Sequence, residues 1–275
     1  MNIYRLTLLA SLCSLTDPAR VIAQRSVIWQ ETPGTWSLHV GLGPSRYFGD
    51  LNKQFDLAHL RIGAAMSVAL TYRLTDQLAV RSDAQVYHIR GAHRNTRIAY
   101  NNLSFHSLNP DLSVGFQYSI WPSQDRNHIV VPYGIGGVGL TYMRPRAVYQ
   151  GTTYSLAPLR TEGSAYNRLP LMLRYGIGIP LVSTNRLKGN VEGVYTHVLS
   201  DYLDDVSSRY ADRSGMTPIA ATLSDRAPEI GTAPNPAGAQ RGNDQRNDGY
   251  LTLSARLIYL ISTPRQRNYR RMFSR

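Results

Sequence analysis

Residues 61–74 read RIGAAMSVALTYRL, and the order within this stretch decides the fold. The positions Ile62, Ala64, Met66, Val68, Leu70, Tyr72 and Leu74 are apolar. Gly63, Ala65, Ser67, Ala69, Thr71 and Arg73 between them are small or polar. A strand points alternate side chains to opposite faces, so one face here is continuous hydrocarbon. A helix would mix the two sets on every face. The run is also more than twice the roughly 5–6 residues usual in a soluble strand.

The same pattern recurs along the chain. Leu108, Leu112, Val114, Phe116, Tyr118 and Ile120 alternate with Asn109, Asp111, Ser113, Gly115, Gln117 and Ser119. Leu169 to Leu181 and Leu251 to Ile261 repeat it, as do Leu78, Val80, Ala84 and Val86 against Arg81, Asp83 and Gln85. Weaker versions cover Trp36–Leu42, Ile129–Tyr142 and Leu187–Leu199, the last two with an ambiguous phase that marks a bulge or glycine kink. Eight strands result.

Their connections alternate strictly in length. Thr75–Gln77, Trp121–Asn127 and Ser183–Arg186 are short; roughly residues 43–60, 90–104, 143–168 and 200–249 are long. Short turns on the periplasmic side and long loops outside are the habit of outer-membrane barrels. A soluble sandwich or lipocalin-like barrel has no reason to keep that alternation. The expectation is therefore an all-β, eight-stranded antiparallel transmembrane β-barrel in the outer membrane, with both termini periplasmic. Tyr72, Tyr87, Tyr118, Trp121, Tyr133, Tyr142, Tyr175, Tyr195 and Tyr259 fall near strand ends, where interfacial girdles form. The β-propensity of tyrosine explains their presence in strands but not their clustering at the ends.

Composition agrees. The chain has 275 residues, 43% of them hydrophobic, yet no window of about 18 uncharged apolar residues that would make a transmembrane helix. The longest apolar run, Leu6–Leu15, sits beside Arg5 and precedes Val21-Ile22-Ala23, the pattern of a secretory signal cleaved near Ala23. A buried N-terminal helix is the other reading, and Pro18 argues against it. Cys13, the only cysteine, follows Leu12 rather than a small residue, so lipidation is not expected. The division is 1–23 signal peptide, 24–34 periplasmic lead, 35–262 barrel and 263–275 basic periplasmic tail. The net charge of +12 comes from 30 basic residues, only Lys53 and Lys188 being lysine. They are scattered, and an exported chain does not normally meet nucleic acid, so no nucleic-acid partner is expected.

An eight-stranded barrel has an interior filled by side chains. The inward phase supplies Arg73, Arg81, Asp83, Gln85, Asp111, Gln117, Arg174, Lys188, Glu192 and Arg256, which should pair as a structural network rather than form an ion pathway. A lipid hydrolase would need a serine–histidine pair, and His106 with Ser104 or Ser107 is the nearest approach, with nothing to fix the partner acid. No catalytic residue, cofactor or metal is expected. Asp201, Asp204 and Asp205 have oxygen ligands suited to calcium, but their spacing matches no complete ligand loop, and a solvated acidic turn is the alternative. Pro218–Gln245, rich in Ala, Pro, Gly, Asn and Asp, reads as mobile. Arg265, Arg267, Arg270, Arg271 and Arg275 in the tail suit acidic lipid headgroups or an acidic protein; a disordered solubilising tail is the plainer reading.

Several segments resemble one family. GLGPSRYFGDL (Gly41–Leu51), LAPLRTEG (Leu156–Gly163), RYGIGI (Arg174–Ile179), SDYLDDVS (Ser200–Ser207) and Arg241-Gly242-Asn243 before Asp248-Gly249-Tyr250 are similar to motifs of a family of Bacteroidota outer-membrane barrels. That family includes the small barrel subunit of the type IX secretion and gliding machinery. The more specific pieces are Thr161-Glu162-Gly163 and Tyr202-Leu203-Asp204-Asp205-Val206-Ser207, the latter preceded by Asp201. The Ala/Pro-rich stretch between Ser208 and Arg241 is longer than the pattern calls for. The resemblance implies a non-enzymatic barrel serving as structural or accessory subunit of an envelope machine, with outer-membrane lipid and periplasmic secretion proteins as partners. A surface barrel acting in adhesion or host contact through its long loops is the alternative.

Overall fold

The alternation in residues 61–74 is realised as β2 (Ile62–Arg73). The computed structural model describes residues 31–51, 61–94, 96, 98–122, 130–184 and 186–273. Seven more long strands appear: β1 (Trp36–Phe48), β3 (Leu78–Ala92), β4 (Ser104–Ser119), β5 (Tyr133–Thr141), β8 (Leu171–Ser183), β9 (Leu187–Val198) and β10 (Gly249–Ser262). Two short strands, β6 (Arg146–Tyr149) and β7 (Thr152–Ser155), form a hairpin within the loop between β5 and β8. The helices are α1 (Pro218–Ser224) and α2 (Pro264–Phe273). All pairings are antiparallel. β1 pairs with both β2 and β10, and the β3–β4 ladder closes the eight long strands into a ring. The signal segment 1–23 and most of the 24–34 lead lie outside the described residues, as does Arg275.

The barrel is turned inside out relative to a soluble protein. On β2, Met66 is 56% exposed while its neighbour Ser67 is 4% exposed. Leu42, Leu112, Phe116, Ile177 and Leu257 are likewise exposed on the outside of their strands. A soluble monomer rarely shows an apolar patch beyond a few hundred Å². A closed barrel in hydrocarbon needs that surface, and it satisfies every ladder hydrogen bond internally. No helix among the described residues is long and apolar enough to cross a membrane; the strands do the crossing. The molecule is a multi-pass outer-membrane β-barrel.

The lumen is packed with paired charge. Arg81 contacts Asp83 at 2.7 Å and Glu192 at 2.7 Å. Arg256 lies 2.5 Å from Glu192 and 3.2 Å from Asp83. Arg174 reaches Asp111 at 3.4 Å and donates to Gln85 at 2.6 Å. Three arginines thus face three carboxylates. The Tyr133 hydroxyl donates to Glu192 (2.8 Å) and the Tyr250 hydroxyl to Asp111 (2.5 Å). At the turn end, Glu31 from the N-terminal lead pairs with Arg73 (2.9 Å) and Lys188 (3.1 Å). Burial disfavours the Glu31 charge, but Lys188 and Arg73 outweigh it and hold the carboxyl down at about 2.

The structure corrects the sequence reading in four places. First, Tyr87 and Tyr133 are not girdle residues. They share the inward phase, where Tyr87 stacks on Tyr250 with ring centroids 3.9 Å apart, because a narrow lumen needs bulky side chains to fill it. The outer aromatics include Trp36, Tyr72, Phe116, Tyr118 and Tyr259 toward the turn end, and Phe48, Tyr142, Tyr175 and Tyr195 toward the loop end. Second, β1 continues past Leu42 to Phe48. Pro44 has no N–H for the ladder, and a Cβ on Gly43 would stand 1.8 Å from the Leu253 carbonyl oxygen, so the register with β10 skips this Gly-Pro pair while β2 pairs through it. Third, Pro218–Gln245 folds. Thr217 caps α1 by accepting from the Ala220 N–H, and Leu223 and Ala227 are buried. Fourth, the tail's disordered alternative gives way to α2. The Arg267 guanidinium donates to the Gly34 carbonyl and the Ser262 hydroxyl, tying the helix to the lead.

Candidate functional site

The hydrophobic core of the molecule lies at the loop end. Tyr47, Leu51, Ile89, Leu103, Phe105, Met143, Leu156, Val198, Leu203, Val206 and Leu223 pack there into one buried cluster. They come from strand ends and all four long loops, so the loops fold together into a cap over the barrel mouth.

Polar groups hold the cap in register. The Glu162 carboxylate accepts from the Ser207 N–H (2.8 Å), the Ser208 N–H (3.1 Å) and the Ser208 hydroxyl (2.7 Å). It also pairs with Arg241 at 2.9 Å, both side chains being 2% exposed. Arg241 donates further to the Asp205 carbonyl (2.5 Å) and the Ser224 carbonyl (3.2 Å). One guanidinium therefore ties three loop segments together. The Asp205 carboxylate accepts from the Thr161 hydroxyl (2.5 Å) and the Tyr166 hydroxyl (2.7 Å). Asp205 stands at φ 70°, in the left-handed region that Asp enters more readily than most residues. Gly163, at φ 79°, ends the Thr-Glu-Gly turn for the same conformational reason. Tyr202 stacks flat on Tyr166, ring centroids 4.4 Å apart.

A second knot lies deeper. The Tyr47 hydroxyl contacts Asp204 (2.6 Å) and Asp248 (2.8 Å), and Asp248 accepts from the Leu203 N–H (3.0 Å). Asp50 accepts from the Asn243 N–H at 2.5 Å. Burial, with Asp50, Asp204 and Glu162 close by, raises the Asp201 carboxyl to about 9. Asp204 and Asp248 are raised by burial and by neighbouring carboxylates. Asp205 is raised by burial, against the pull of Arg241, to about 6. The acidic loop is thus not a solvated turn: its carboxylates sink into the cap, where Tyr47 satisfies Asp204 and Thr161, Tyr166 and Arg241 satisfy Asp205, while both Asp201 carboxyl oxygens lie buried without a hydrogen-bond partner among the described residues. Among the described residues no set of three His, Cys, Asp or Glu side chains is arranged to hold a metal.

Every loop residue picked out in the sequence lies in this cap: Thr161, Glu162, Gly163, Asp201, Tyr202, Leu203, Asp204 and Asp205. Sequence reasoning missed Tyr47, Arg241 and Asp248 as their partners, although each stands in or beside a segment of the resemblance. The serine–histidine pair does not form. Ser107 is buried and donates to Asn109 at 2.5 Å, while His106 points outward and the Ser104 hydroxyl accepts from Arg226 at 3.0 Å. In the tail, Arg265, Arg270 and Arg271 lie on the exposed side of α2, and Arg267 is taken up internally.

No family model and no curated protein matches the sequence. Solved structures similar to this chain include Neisserial surface protein A, at 11% identity and a TM-score of 0.42 over 82% of this chain and 96% of that one. The outer membrane protein OprG from Pseudomonas aeruginosa gives 12% and 0.43 over 86% and 100%. Ail, the attachment invasion locus protein of Yersinia pestis, gives 12% and 0.38 over 83% and 100%.

Proposed function

We propose that this chain is a non-enzymatic structural or accessory subunit of an envelope machine, with type IX protein secretion as the finer assignment. The observation that carries the reading is the sealed lumen: paired charges fill it, Glu31 closes one end and the cap closes the other. A barrel that passes no solute acts through its ends. At the periplasmic end, α2 presents Arg265, Arg270 and Arg271 with no acidic residue in its first turn, which suits an acidic periplasmic protein. The type IX assignment rests on the resemblance of the Thr161–Gly163 and Asp201–Asp205 motifs alone.

The test is gene deletion followed by comparison of the secreted proteome, paired with co-purification of the full chain and a chain truncated after Thr263. Loss of a set of secreted proteins, and of a periplasmic partner on truncation, is the expected result. An unchanged secretome, with the intact barrel purifying alone, sinks the proposal.

One feature favours the second reading, a surface barrel for adhesion or host contact. The β6–β7 hairpin carries Val148, 46% exposed, out from the cap. Under that reading, removing residues 146–155 abolishes surface binding and leaves secretion intact.

A further inference from the structure

The outward phase of the long strands carries charge at one end only. Along the outward phase of the eight long strands there is no Asp, Glu or Lys, and the arginines are Arg46 on β1 and Arg90 on β3, both near the loop end. On β3 the outward positions run Leu78, Val80, Ser82, Ala84 and Val86 and then change to His88 and Arg90. At roughly 3.4 Å per residue and a tilt of about 40°, Leu78 to His88 climbs about 26 Å. That is close to the roughly 25 Å height of an apolar barrel band. The change of chemistry therefore falls where hydrocarbon ends and outer-leaflet headgroups begin.

Neighbouring strands extend the change sideways. Arg90 pairs in register with His106 of β4, and His106 with Arg146 of β6, so three basic residues form a row across adjacent strands. His88 sits diagonally beside them, its ring centroid 6.5 Å from that of His106. Leu108, the next outward residue of β4, is exposed hydrocarbon. The row exists because β5 ends at Thr141 and leaves the rest of β4 to pair with β6. Among the described residues, neither Arg90 nor Arg146 has a carboxylate within ion-pair distance. Glu229, which approaches this edge through the Arg226–Ser104 contact, is already paired with Arg226 at 2.7 Å.

We infer that Arg90, His106 and Arg146, with His88, form a binding strip for a phosphorylated glycolipid headgroup of the outer leaflet. Guanidinium groups bind phosphate through paired N–H donors, and the strip presents two of them at the depth where such phosphates lie. The acyl chains of the same lipid would lie along Val86, Leu108 and Leu112 below. The inference depends on the barrel's orientation in the membrane and not on the accessory role proposed above.

The experiment extracts the full chain from outer membranes in mild detergent and quantifies co-purifying phosphorylated glycolipid by native mass spectrometry. It compares wild type, R90Q/R146Q, and R186Q at the opposite end of the barrel. Folding of each variant is verified by heat-modifiable gel migration. Each arginine beside an anionic surface is worth about fivefold in affinity, so the double variant should retain on the order of twentyfold less lipid. R186Q should match wild type. Equal retention by the folded double variant overturns the inference, as does an equal loss in R186Q, which would make the effect one of bulk charge. Retention of phosphatidylglycerol in place of the glycolipid by the wild type also overturns it.

Discussion

Arg241 is the residue on which the cap turns. It meets Glu162, the Asp205 carbonyl and the Ser224 carbonyl, and so couples the third long loop to two distant parts of the fourth. Removing one partner of a buried ion pair strands the other charge and costs about 3–5 kcal/mol. Arg241→Ala is therefore expected to loosen the cap and leave the barrel intact, since no lumen pair involves this residue. Limited proteolysis should cut within residues 200–249 at least tenfold faster, with heat-modifiable migration unchanged. Cleavage at the wild-type rate would show that the apolar cluster alone holds the cap. The buried carboxylates set a pH dependence as well. Asp201 holds its proton up to about 9 in the folded cap, against roughly 3.9 for an unfolded aspartate. Between those values the folded state binds more protons than the unfolded one, so cap stability falls as pH rises. Asp205, raised to about 6, acts in the same direction at the lower part of that window. Hydrogen exchange at residues 200–208, corrected for intrinsic rate, should reveal more frequent opening at pH 9 than at pH 6. The opposite order would mean that these carboxyls are ionised in the folded cap.

At the scale of the element, the strands were legible and the cap was not. Period-two alternation is a local property, so β2, β4, β8 and β10 can be read from any short window within them. Gly43-Pro44 reads as a loop, and only its pairing with Ala65 and Ala64 of β2 shows that β1 runs through it. Tyr87 and Tyr133 were misplaced for a related reason: tyrosine suits both an interfacial girdle and a packed lumen, and phase rather than type decides. The fourth loop has no periodicity, and its Leu203, Val206 and Leu223 find their partners on β1, β4 and the third loop, at separations no local pattern encodes. The β6–β7 hairpin was missed because each strand spans only four residues. Its turn nevertheless has a requirement that a substitution can probe. Gln150 and Gly151 both have positive φ, 48° and 76°, as a two-residue type I′ turn demands. Gly151→Val would place a branched side chain in the left-handed region at a cost of about 1–2 kcal/mol, whereas Gly151→Asn should be tolerated. Protease nicking within residues 146–155 should rise for the valine variant alone; equal nicking in both variants would mean that the turn does not control the hairpin.

At the scale of the whole molecule, three layers block the axis in series. Glu31 with Arg73 and Lys188 closes the turn end, the Arg81–Asp83–Glu192–Arg256 cluster with Arg174 and Asp111 fills the middle, and the cap covers the mouth. An ion crossing the middle layer would have to separate pairs whose side chains are nearly all buried, and each uncompensated charge costs about 3–5 kcal/mol. Wild-type protein in planar bilayers should therefore give no step-like conductance at any voltage the bilayer tolerates. The layers are independent, so opening one should not open the molecule: deleting residues 201–247 removes the fourth loop's share of the cap, Leu203, Val206 and Leu223 included, but leaves the central cluster intact, and the truncated barrel should also remain silent. Conductance in the truncated form alone would place the seal in the cap. Conductance in the wild type would show that the lumen network rearranges, and would return a transport role to a barrel whose chemistry otherwise lies at its two ends and on its lipid-facing rim.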